Sequence, residues 1–332
     1  MRRIHLLEPQ NGATTLPLQL HAWPDGHIPS EELLDRSQPR PVEFAWEALP
    51  DPENTVEYVL LIGHEVRLID PLYRKELYRS RHLVYNLSIG ERYYWRVVAS
   101  QRGKRMAASP VWSFNTHLKP PRWLRVPEIT NIRDVGGWHL EGGGRIRQGL
   151  LLRSSELNSH LQLTEEGKRI LEADFGVRTD IDLRGSEELC EPALSRARVA
   201  YHNFPIQPYR NIAETLYQPD YRRIFRLLAN PESYPAIIHC WGGADRTGTV
   251  VFLLQALLGM GEKDLLLDYE LTSQSIWGER NHASAEFQEF LKILSQYAPA
   301  GVNLHAQSEG YLRAIGVEPD EIANIRQILT EC

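Results

Sequence analysis

The stretch from residue 236 to residue 259 constrains the fold more than any other part of the chain. An apolar run, AIIH, is followed by a polar segment, CWGGADRTG, and then by a longer apolar run, TVVFLLQALLG. A short apolar run is typical of a strand buried on both faces, whereas the later one is long enough for a buried helix. The stretch therefore predicts a strand, a tight loop and a helix in direct succession, as in an α/β layer fold.

The two halves of the chain follow different patterns. Beyond residue 123, strand-like runs such as VRTDIDLR alternate with helical ones such as YRRIFRLLAN. From residue 16 to residue 116, about seven short β-rich runs are separated by turn residues, which is the spacing of a β-sandwich. The paired prolines in THLKPPRW oppose helix and sheet alike. We therefore predict an all-β sandwich over residues 1–117 and an α/β domain over residues 118–332.

Charge and cysteine content limit the class of protein. A formal net charge of -6 argues against a nucleic-acid binder, because such proteins need a concentrated positive field. The three cysteines lie far apart without metal-ligand spacing, so we expect neither a disulfide framework nor a metal site, and a reducing compartment. The first apolar run is too short for a signal peptide and no run has transmembrane length. We therefore expect a soluble, cytoplasmic protein.

The polar segment carries the chemistry of a phosphate site. A tight loop that ends in a helix N-terminus directs backbone N–H groups and a positive dipole at one point, and Gly242 and Gly243 allow the turn. A thiol in such a field ionises readily, so Cys240 is predicted to attack as a thiolate. Arg246 offers a planar, two-pronged donor for phosphoryl oxygens, and Thr247 can bond the departing sulfur. The alternative is that the cysteine is only a small buried apolar residue.

Residues 128–332 resemble the bacterial tyrosine/serine protein phosphatase family, in which a cysteine attacks phosphate monoesters without a metal or other cofactor. The resemblance rests on five segments in the family's order: NIRDVGGW, GRIRQGLLLRSSEL, FGVRTDIDLRGSEE, HCWGGADRTG and YLRAIGVEPDEIANIRQIL. It implies an α/β cysteine-phosphatase fold and a phosphocysteine intermediate. Residues 15–116 resemble a fibronectin type III domain, because Leu87, Gly90 and Tyr93 occupy the places of its leucine, turn glycine and inward tyrosine.

The resemblance assigns catalysis to Cys240 and Arg246, and four aspartates are candidates to protonate the leaving group. Asp220 stands just before the run YRRIFRLL and is predicted to cap a helix instead, and Asp25 is considered below. Asp245 lies inside the loop, where the alternative is a carboxylate that only braces it. Asp182 ends an apolar run, and α/β sheets place active-site groups at the carboxyl ends of their strands. Its alternative is an ion pair with Arg184 or Arg153.

A further set of residues is predicted to bind the substrate: His239, Trp241, Gly242, Gly243, Ala244, Thr247, Gly248 and Arg153. Trp241 either walls the pocket against an aromatic substrate or simply packs. Ala244 stands where many members of the family have a lysine associated with inositol-lipid headgroups, and this departure weighs against lipid activity. Asn131, Arg133 and Asp134 are predicted to orient the strand ends around the loop.

The string WPDGHIP at residues 23–29 looks like the mobile loop that carries the catalytic aspartate of tyrosine-specific phosphatases. In those enzymes it lies shortly before the cysteine, whereas here more than two hundred residues intervene, and Pro-Asp-Gly is an ordinary turn sequence. We therefore predict that Asp25 is not the acid. The first domain is expected to dock a protein partner, and its removal to spare hydrolysis of a small aryl phosphate.

These inferences predict a cysteine-dependent protein tyrosine phosphatase, with phosphoserine and phosphothreonine as further substrates if it has dual specificity. Its partner would be a phosphorylated protein or a small phosphomonoester. One alternative is a phosphoinositide or inositol-phosphate phosphatase with the same chemistry. Another is a binding protein that holds phosphorylated ligands without turnover.

Overall fold

The computed structural model describes residues 2–20, 35–51 and 55–331. The chain divides into two compact units, Met1–Gln19 with Pro39–Pro120 and Leu20–Gln38 with Pro121–Cys332. The predicted boundary at residue 117 lies close to the transition at residue 120. Residue 20 and residues 35–38, which the sequence assigned to the first domain, belong instead to the second unit. The WPDGHIP string, with Asp25, lies outside the described residues.

The described part of the first unit is built from strands: β1 (Arg2–Arg3), β2 (Leu6–Glu8), β3 (Ala13–Thr14), β4 (Val42–Trp46), β5 (Val56–Gly63), β6 (Tyr73–Leu77), β7 (Arg81–Val84), β8 (Arg92–Gln101), β9 (Lys104–Ala108) and β10 (Trp112–Asn115). Strand β8 pairs with β5 along one edge and with β9 and β10 along the other. Strands β2, β4 and β7 form a second sheet.

The two sheets of the first unit share one core. Along β8, Tyr93, Trp95 and Val97 are buried while the residues between them are partly exposed, as the period of two in a strand requires. Phe44 of the second sheet meets Trp95 edge-on at 5.0 Å between ring centroids. The β-rich pattern of this half is thus present as two packed sheets, and the closer likeness to fibronectin type III stays a prediction.

The second unit alternates strands with helices: β11 (Arg133–Asp134), β12 (Arg145–Ile146), β13 (Leu151–Ser154), α1 (Glu165–Arg169), β14 (Thr179–Asp182), β15 (Ala200–Asn203), α2 (Gln218–Leu228), β16 (Ala236–His239), α3 (Asp245–Leu258), α4 (Glu262–Glu270), α5 (Ala285–Leu294), α6 (Leu304–Ala314), α7 (Pro319–Leu329) and β17 (Thr330–Glu331). Short helical turns are also present: Ile170–Asp174, Ser186–Glu188, Tyr209–Ala213, Pro231–Ser233, Leu271–Gln274 and Ser295–Tyr297. The alternation confirms the predicted α/β class of this half.

Strand alternation places an apolar layer on each face of the central sheet. The order is β11-β13-β16-β14-β15, with the last four strands parallel. In β16, Ile238 joins the core formed with α2 and α3, while Ile237 joins the core on the other face. A strand covered on both faces must be apolar throughout, which explains the run AIIH.

The carboxyl ends of the parallel strands lie in one row. Ser154 pairs with His239, which pairs with Asp182, which pairs with Asn203. Strand β16 ends at His239 and α3 begins at Asp245, so the predicted strand, loop and helix are all present. The residues between them, 240–244, are called the cysteine loop below.

Candidate active site

The scaffold holds the carbonyl groups of the cysteine loop. Three consecutive carbonyls each accept one hydrogen bond: Trp241 O from Glu156 N (2.8 Å), Gly242 O from Asn131 Nδ2 (3.0 Å) and Gly243 O from Arg153 Nη2 (2.8 Å). In a trans peptide the N–H points opposite to the C=O, so the amides of residues 242–244 point away from the scaffold. Within the described part of the chain, no acceptor takes the amides of residues 241–247. Together with the first turn of α3, they form a set of donors suited to an oxyanion.

Gly243 is required by its backbone and by its surroundings. Its φ is +64°, and a Cβ atom built on it would lie 2.2 Å from the carbonyl oxygen of Ser154. The loop backbone therefore rests directly on the end of β13. A Cβ on Gly242 would meet the indole of Trp277 at 3.0 Å, so the predicted role of both glycines in the turn agrees with their packing.

Cys240 lies at the base of the loop and is only 2% exposed. Arg246 stands in the first turn of α3, where its two terminal nitrogens bind the carboxylate of Glu188 at 2.5 and 2.8 Å. This bond is the main cause of the lowered pKa of Glu188. A two-pronged pair fixes the plane of the guanidinium, and its remaining N–H donors are available for phosphoryl oxygens.

Thr247 is fully buried, and its Oγ1 makes no hydrogen bond with any described residue. The predicted bond between this hydroxyl and the sulfur of Cys240 is therefore not formed in this structure. A donor is most needed there when the sulfur becomes a leaving group, so the threonine stays a candidate for that step.

Asp245 reaches the mouth of the site, where its side chain is 37% exposed. Its two oxygens accept hydrogen bonds from Arg280 at 2.7 and 2.9 Å, and Tyr209 donates its hydroxyl proton to the same carboxylate. The Tyr209 oxygen lies 2.8 Å from that of Tyr269. To act as an acid, Asp245 has to exchange its bond with Arg280 for a proton.

Asp182 is fully buried and saturated with donors. It accepts hydrogen bonds from the backbone and guanidinium of Arg184 and from the hydroxyl of Tyr201. Burial raises the pKa of Asp182, but His239 and Arg184 outweigh burial and lower the pKa overall. A buried, ionised carboxylate has no proton to give at neutral pH. The geometry favours the ion pair with Arg184, the alternative left open by the sequence, over the role of acid.

His239 also supports the strand ends, where it is paired with a carboxylate of β14. It is 1% exposed, and its Nε2 lies 2.9 Å from Asp180 Oδ1. Burial lowers the pKa of His239, but the carboxylates of Asp180 and Asp182 raise it by more. A direct contact of this histidine with substrate stays a prediction.

Arg153 was predicted to touch phosphate, but it braces the cysteine loop from behind. One terminal nitrogen binds Asp268 at 2.9 Å and the other binds the carbonyl of Gly243. Asp268 also accepts a bond of 3.0 Å from Arg133, and all three side chains are nearly inaccessible. Gly248 lies against this guanidinium, since a Cβ on it would be 3.7 Å from Arg153 Nη2. The predicted supporting role of Arg133 agrees with this arrangement.

Aromatic rings border the outer side of the loop. Trp241 is 44% exposed, and its ring centroid lies 5.7 Å from that of Trp277 and 5.3 Å from that of His160. Its Nε1 donates to His160 Nδ1 at 3.1 Å. Ala244, by contrast, is buried. An exposed indole beside Cys240 can contact a flat ring attached to a bound phosphate.

Sequence reasoning missed several residues of this site: Glu188, Asp268, Trp277, Arg280, Tyr209 and Glu156. Asp268 carried a signal, because it interrupts the apolar run LLLDY and a buried carboxylate needs a charged partner. The others come from separate segments that only the tertiary fold brings to the loop.

The described residues contain no group of side chains that could hold a metal ion. Cys190 is an exposed free thiol and Cys240 a buried one. Among the described helices, none is both long enough and apolar enough to cross a bilayer.

Parts of this chain resemble known proteins. The model of the tyrosine phosphatase family matches residues 124–331, which is more than half of the chain. A tyrosine-protein phosphatase of Nostoc commune is 24% identical over 128 residues, which cover 33% of this chain and 44% of that protein. A protein of Cupriavidus necator that bears the name of a tyrosine-protein phosphatase is 29% identical over 205 residues, covering 54% of this chain and 70% of that protein.

Solved structures are more distant. The core catalytic domain of the PP-IP phosphatase SIW14 from S. cerevisiae, in complex with citrate, aligns with a TM-score of 0.34 and 16% identity over 45% of this chain and 83% of that one. A likeness at that score carries no information about fold or substrate.

Proposed function

The chain belongs to the tyrosine phosphatase family, and on that premise we propose that it hydrolyses phosphate monoesters through thiolate attack by Cys240. One observation carries the proposal: the scaffold binds three consecutive carbonyls of the loop that follows this buried thiol, so the next amides point away from the scaffold. The amides that follow them, with the guanidinium of Arg246, match the equatorial oxygens of a phosphoryl group.

The proposed reaction has two steps. The sulfur of Cys240 forms a bond to phosphorus while the bond from phosphorus to the leaving oxygen breaks, and that oxygen takes a proton from Asp245. Water then attacks the phosphocysteine, gives its proton back to the aspartate and releases inorganic phosphate and the thiolate. The loop amides and Arg246 stabilise the negative oxygens in both steps.

We propose phosphotyrosine as the favoured substrate, with phosphoserine and phosphothreonine less favoured. The exposed indole of Trp241, supported by Trp277, offers a flat apolar face to a phenyl ring. Alkyl phosphates would gain little from it. The buried methyl group of Ala244 supplies no cation for a multiply phosphorylated ring. The cytoplasmic location remains a proposal that rests on cysteine content and apolar run lengths, and a protein partner for the first unit remains one that rests on the resemblance to fibronectin type III domains.

The test is hydrolysis of p-nitrophenyl phosphate by the full chain. We expect Cys240→Ser to lower turnover by a factor on the order of 10³ or more, because the nucleophile is lost, while inorganic phosphate still binds. Cys190→Ser is the matched control and should retain full activity, and a chelator should not inhibit the wild type. Turnover near the wild-type level in Cys240→Ser would refute the mechanism.

A further inference from the structure

Residues 35–38 lie against the support of the cysteine loop, although the strands β4 to β10 separate them in sequence from the rest of the second unit. The amide of Arg36 donates to the carbonyl of Gln274 at 2.6 Å. Ser37 is fully buried. We call residues 35–38 the docked segment.

Ser37 is the centre of a small hydrogen-bond network. Its Oγ accepts a bond of 3.1 Å from the amide of Asn131, and the hydroxyl of Thr130 lies 3.2 Å away. The hydroxyl of Ser37 donates to Asp35 Oδ1, which also accepts the amide of Ser37 at 3.0 Å. A serine hydroxyl has one proton. Because the carboxylate takes that proton, the Ser37 oxygen is left as an acceptor for Asn131.

Asn131 connects this network to the cysteine loop. Its φ is +53°, in the left-handed region where a residue other than glycine needs support. Its Nδ2 donates to the carbonyl of Gly242 at 3.0 Å and lies 3.3 Å from Thr272 Oγ1, while its Oδ1 accepts from Arg133 at 2.6 Å. The backbone position of Asn131 therefore sets the direction from which its amide reaches the loop.

We propose that Ser37 is a positioning residue of the phosphate site: through Asn131 it fixes the peptide between Gly242 and Gly243, so that the amide of Gly243 points at the bound phosphoryl group. Loss of the Ser37 hydroxyl leaves the amide of Asn131 buried without its acceptor, which costs free energy. The left-handed turn at Asn131 then relaxes, and the loop carbonyl loses its fixed partner. The inference rests on the proposed function to the extent that the loop binds phosphate.

The test measures binding apart from turnover. The dissociation constant of inorganic phosphate is determined by calorimetry on full-length Cys240→Ser protein, alone and combined with Ser37→Ala, Ser37→Thr or Ser308→Ala. We expect Ser37→Ala to raise the constant about tenfold, since one donor to a charged ligand is misdirected. Threonine keeps the hydroxyl and should stay within about threefold. Ser308 is also fully buried, with a hydroxyl that bonds no described residue, and should leave the constant unchanged.

If Ser37→Ala and Ser308→Ala have the same dissociation constant for phosphate, the proposal is overturned, even if the melting temperature of Ser37→Ala falls. If Ser37→Ala does not fold, Asp35→Asn takes its place, because it weakens the acceptor that orients the Ser37 hydroxyl. An unchanged dissociation constant of phosphate in Asp35→Asn also overturns the proposal. Failure of the parent protein to bind phosphate refutes this inference together with the phosphate site. A wild type that binds phosphate without hydrolysing aryl phosphate refutes the proposed function alone.

Discussion

Two aspartates compete to protonate the leaving group, and their surroundings separate them. Asp182 is buried with its pKa lowered by His239 and Arg184. Asp245 is partly exposed at the loop, and its charged partner is the partly exposed side chain of Arg280. A bound substrate can displace a partly exposed arginine more easily than a buried one.

We therefore expect Asp245→Asn to slow hydrolysis of an alkyl phosphate by about 10²–10⁴-fold, and that of p-nitrophenyl phosphate much less, because a good leaving group needs little protonation. Steady-state rates with both substrates give the ratio. Asp220→Asn, an aspartate of α2 paired with Arg223, is the control. Equal slowing of the two substrates would remove Asp245 from the role of acid.

His239 couples the stability of the second unit to pH. Its pKa is raised in the folded protein by Asp180 and Asp182, which outweigh burial. A raised pKa means that the protonated ring stabilises the fold below the unfolded value of about 6.5, and that this contribution is lost as pH rises through the folded pKa. Between the unfolded and the folded pKa of His239, we expect the free energy of unfolding to fall by about 1.4 kcal/mol for each pH unit.

Urea unfolding between pH 5.5 and 9, compared with His239→Asn, isolates this dependence, because other titrating groups are common to both proteins. His202→Asn, on the neighbouring strand β15, should keep the wild-type profile. Parallel profiles for wild type and His239→Asn would contradict the assignment.

At the scale of elements, the junction of β16, the cysteine loop and α3 depends on Gly243. Alanine in a left-handed conformation costs about 1–2 kcal/mol, and here its Cβ would also lie 2.2 Å from the Ser154 oxygen. Gly176 has nearly the same φ, +65°, with no atom within 4 Å of a built Cβ. We expect Gly176→Ala to lower the free energy of unfolding only by that backbone cost and to keep full activity. Gly243→Ala should be destabilised further and should also lose phosphate binding and turnover.

Urea titration measures the stability of both variants, and the aryl phosphate assay measures their turnover. Together they separate backbone strain, which both variants share, from the steric clash with Ser154, which only Gly243→Ala has. If the two alanine variants lose the same stability and both stay active, the contact between the loop and the end of β13 does not set the loop conformation.

The same junction shows what sequence alone can predict. The strand, the loop and α3 follow one another directly, so local apolar patterns and the spacing from Cys240 to Arg246 were sufficient. The donors that hold the loop carbonyls, Asn131, Arg153 and Glu156, come from other segments. Their contact with the loop follows from β13 pairing with β16, and nothing in a local pattern specifies which strand pairs with which.

At the scale of the whole molecule, the sequence predicted that removal of residues 1–117 spares hydrolysis of a small aryl phosphate. The docked segment reverses this expectation, because the removed part contains Ser37 and Asp35. We expect the shortened chain to bind phosphate at least about tenfold more weakly than the full chain, the loss expected from one misdirected donor.

A second shortened chain keeps residues 20–38 and joins them to residue 121 through a short flexible Gly/Ser linker. Such a link is geometrically reasonable, since Gln19 pairs with Pro39 and its Nε2 donates to Lys119 O at 2.6 Å. Phosphate binding and aryl phosphate hydrolysis should be restored in it. Full activity in the chain that lacks residues 1–117 would instead restore the original expectation.

The interleaved path of the chain has a consequence for synthesis on the ribosome. The strands of the first unit are complete once residue 120 has emerged. Thr130 and Asn131, the hydrogen-bond partners of Ser37, are synthesised after that point, and Gln274, the partner of Arg36, is synthesised much later. At about 5–20 residues per second, that last partner follows the docked segment by roughly 10 to 50 s. The nascent protein therefore contains all strands of the β unit well before it has a finished phosphate site, so Cys240 acquires its full set of supports only late in translation.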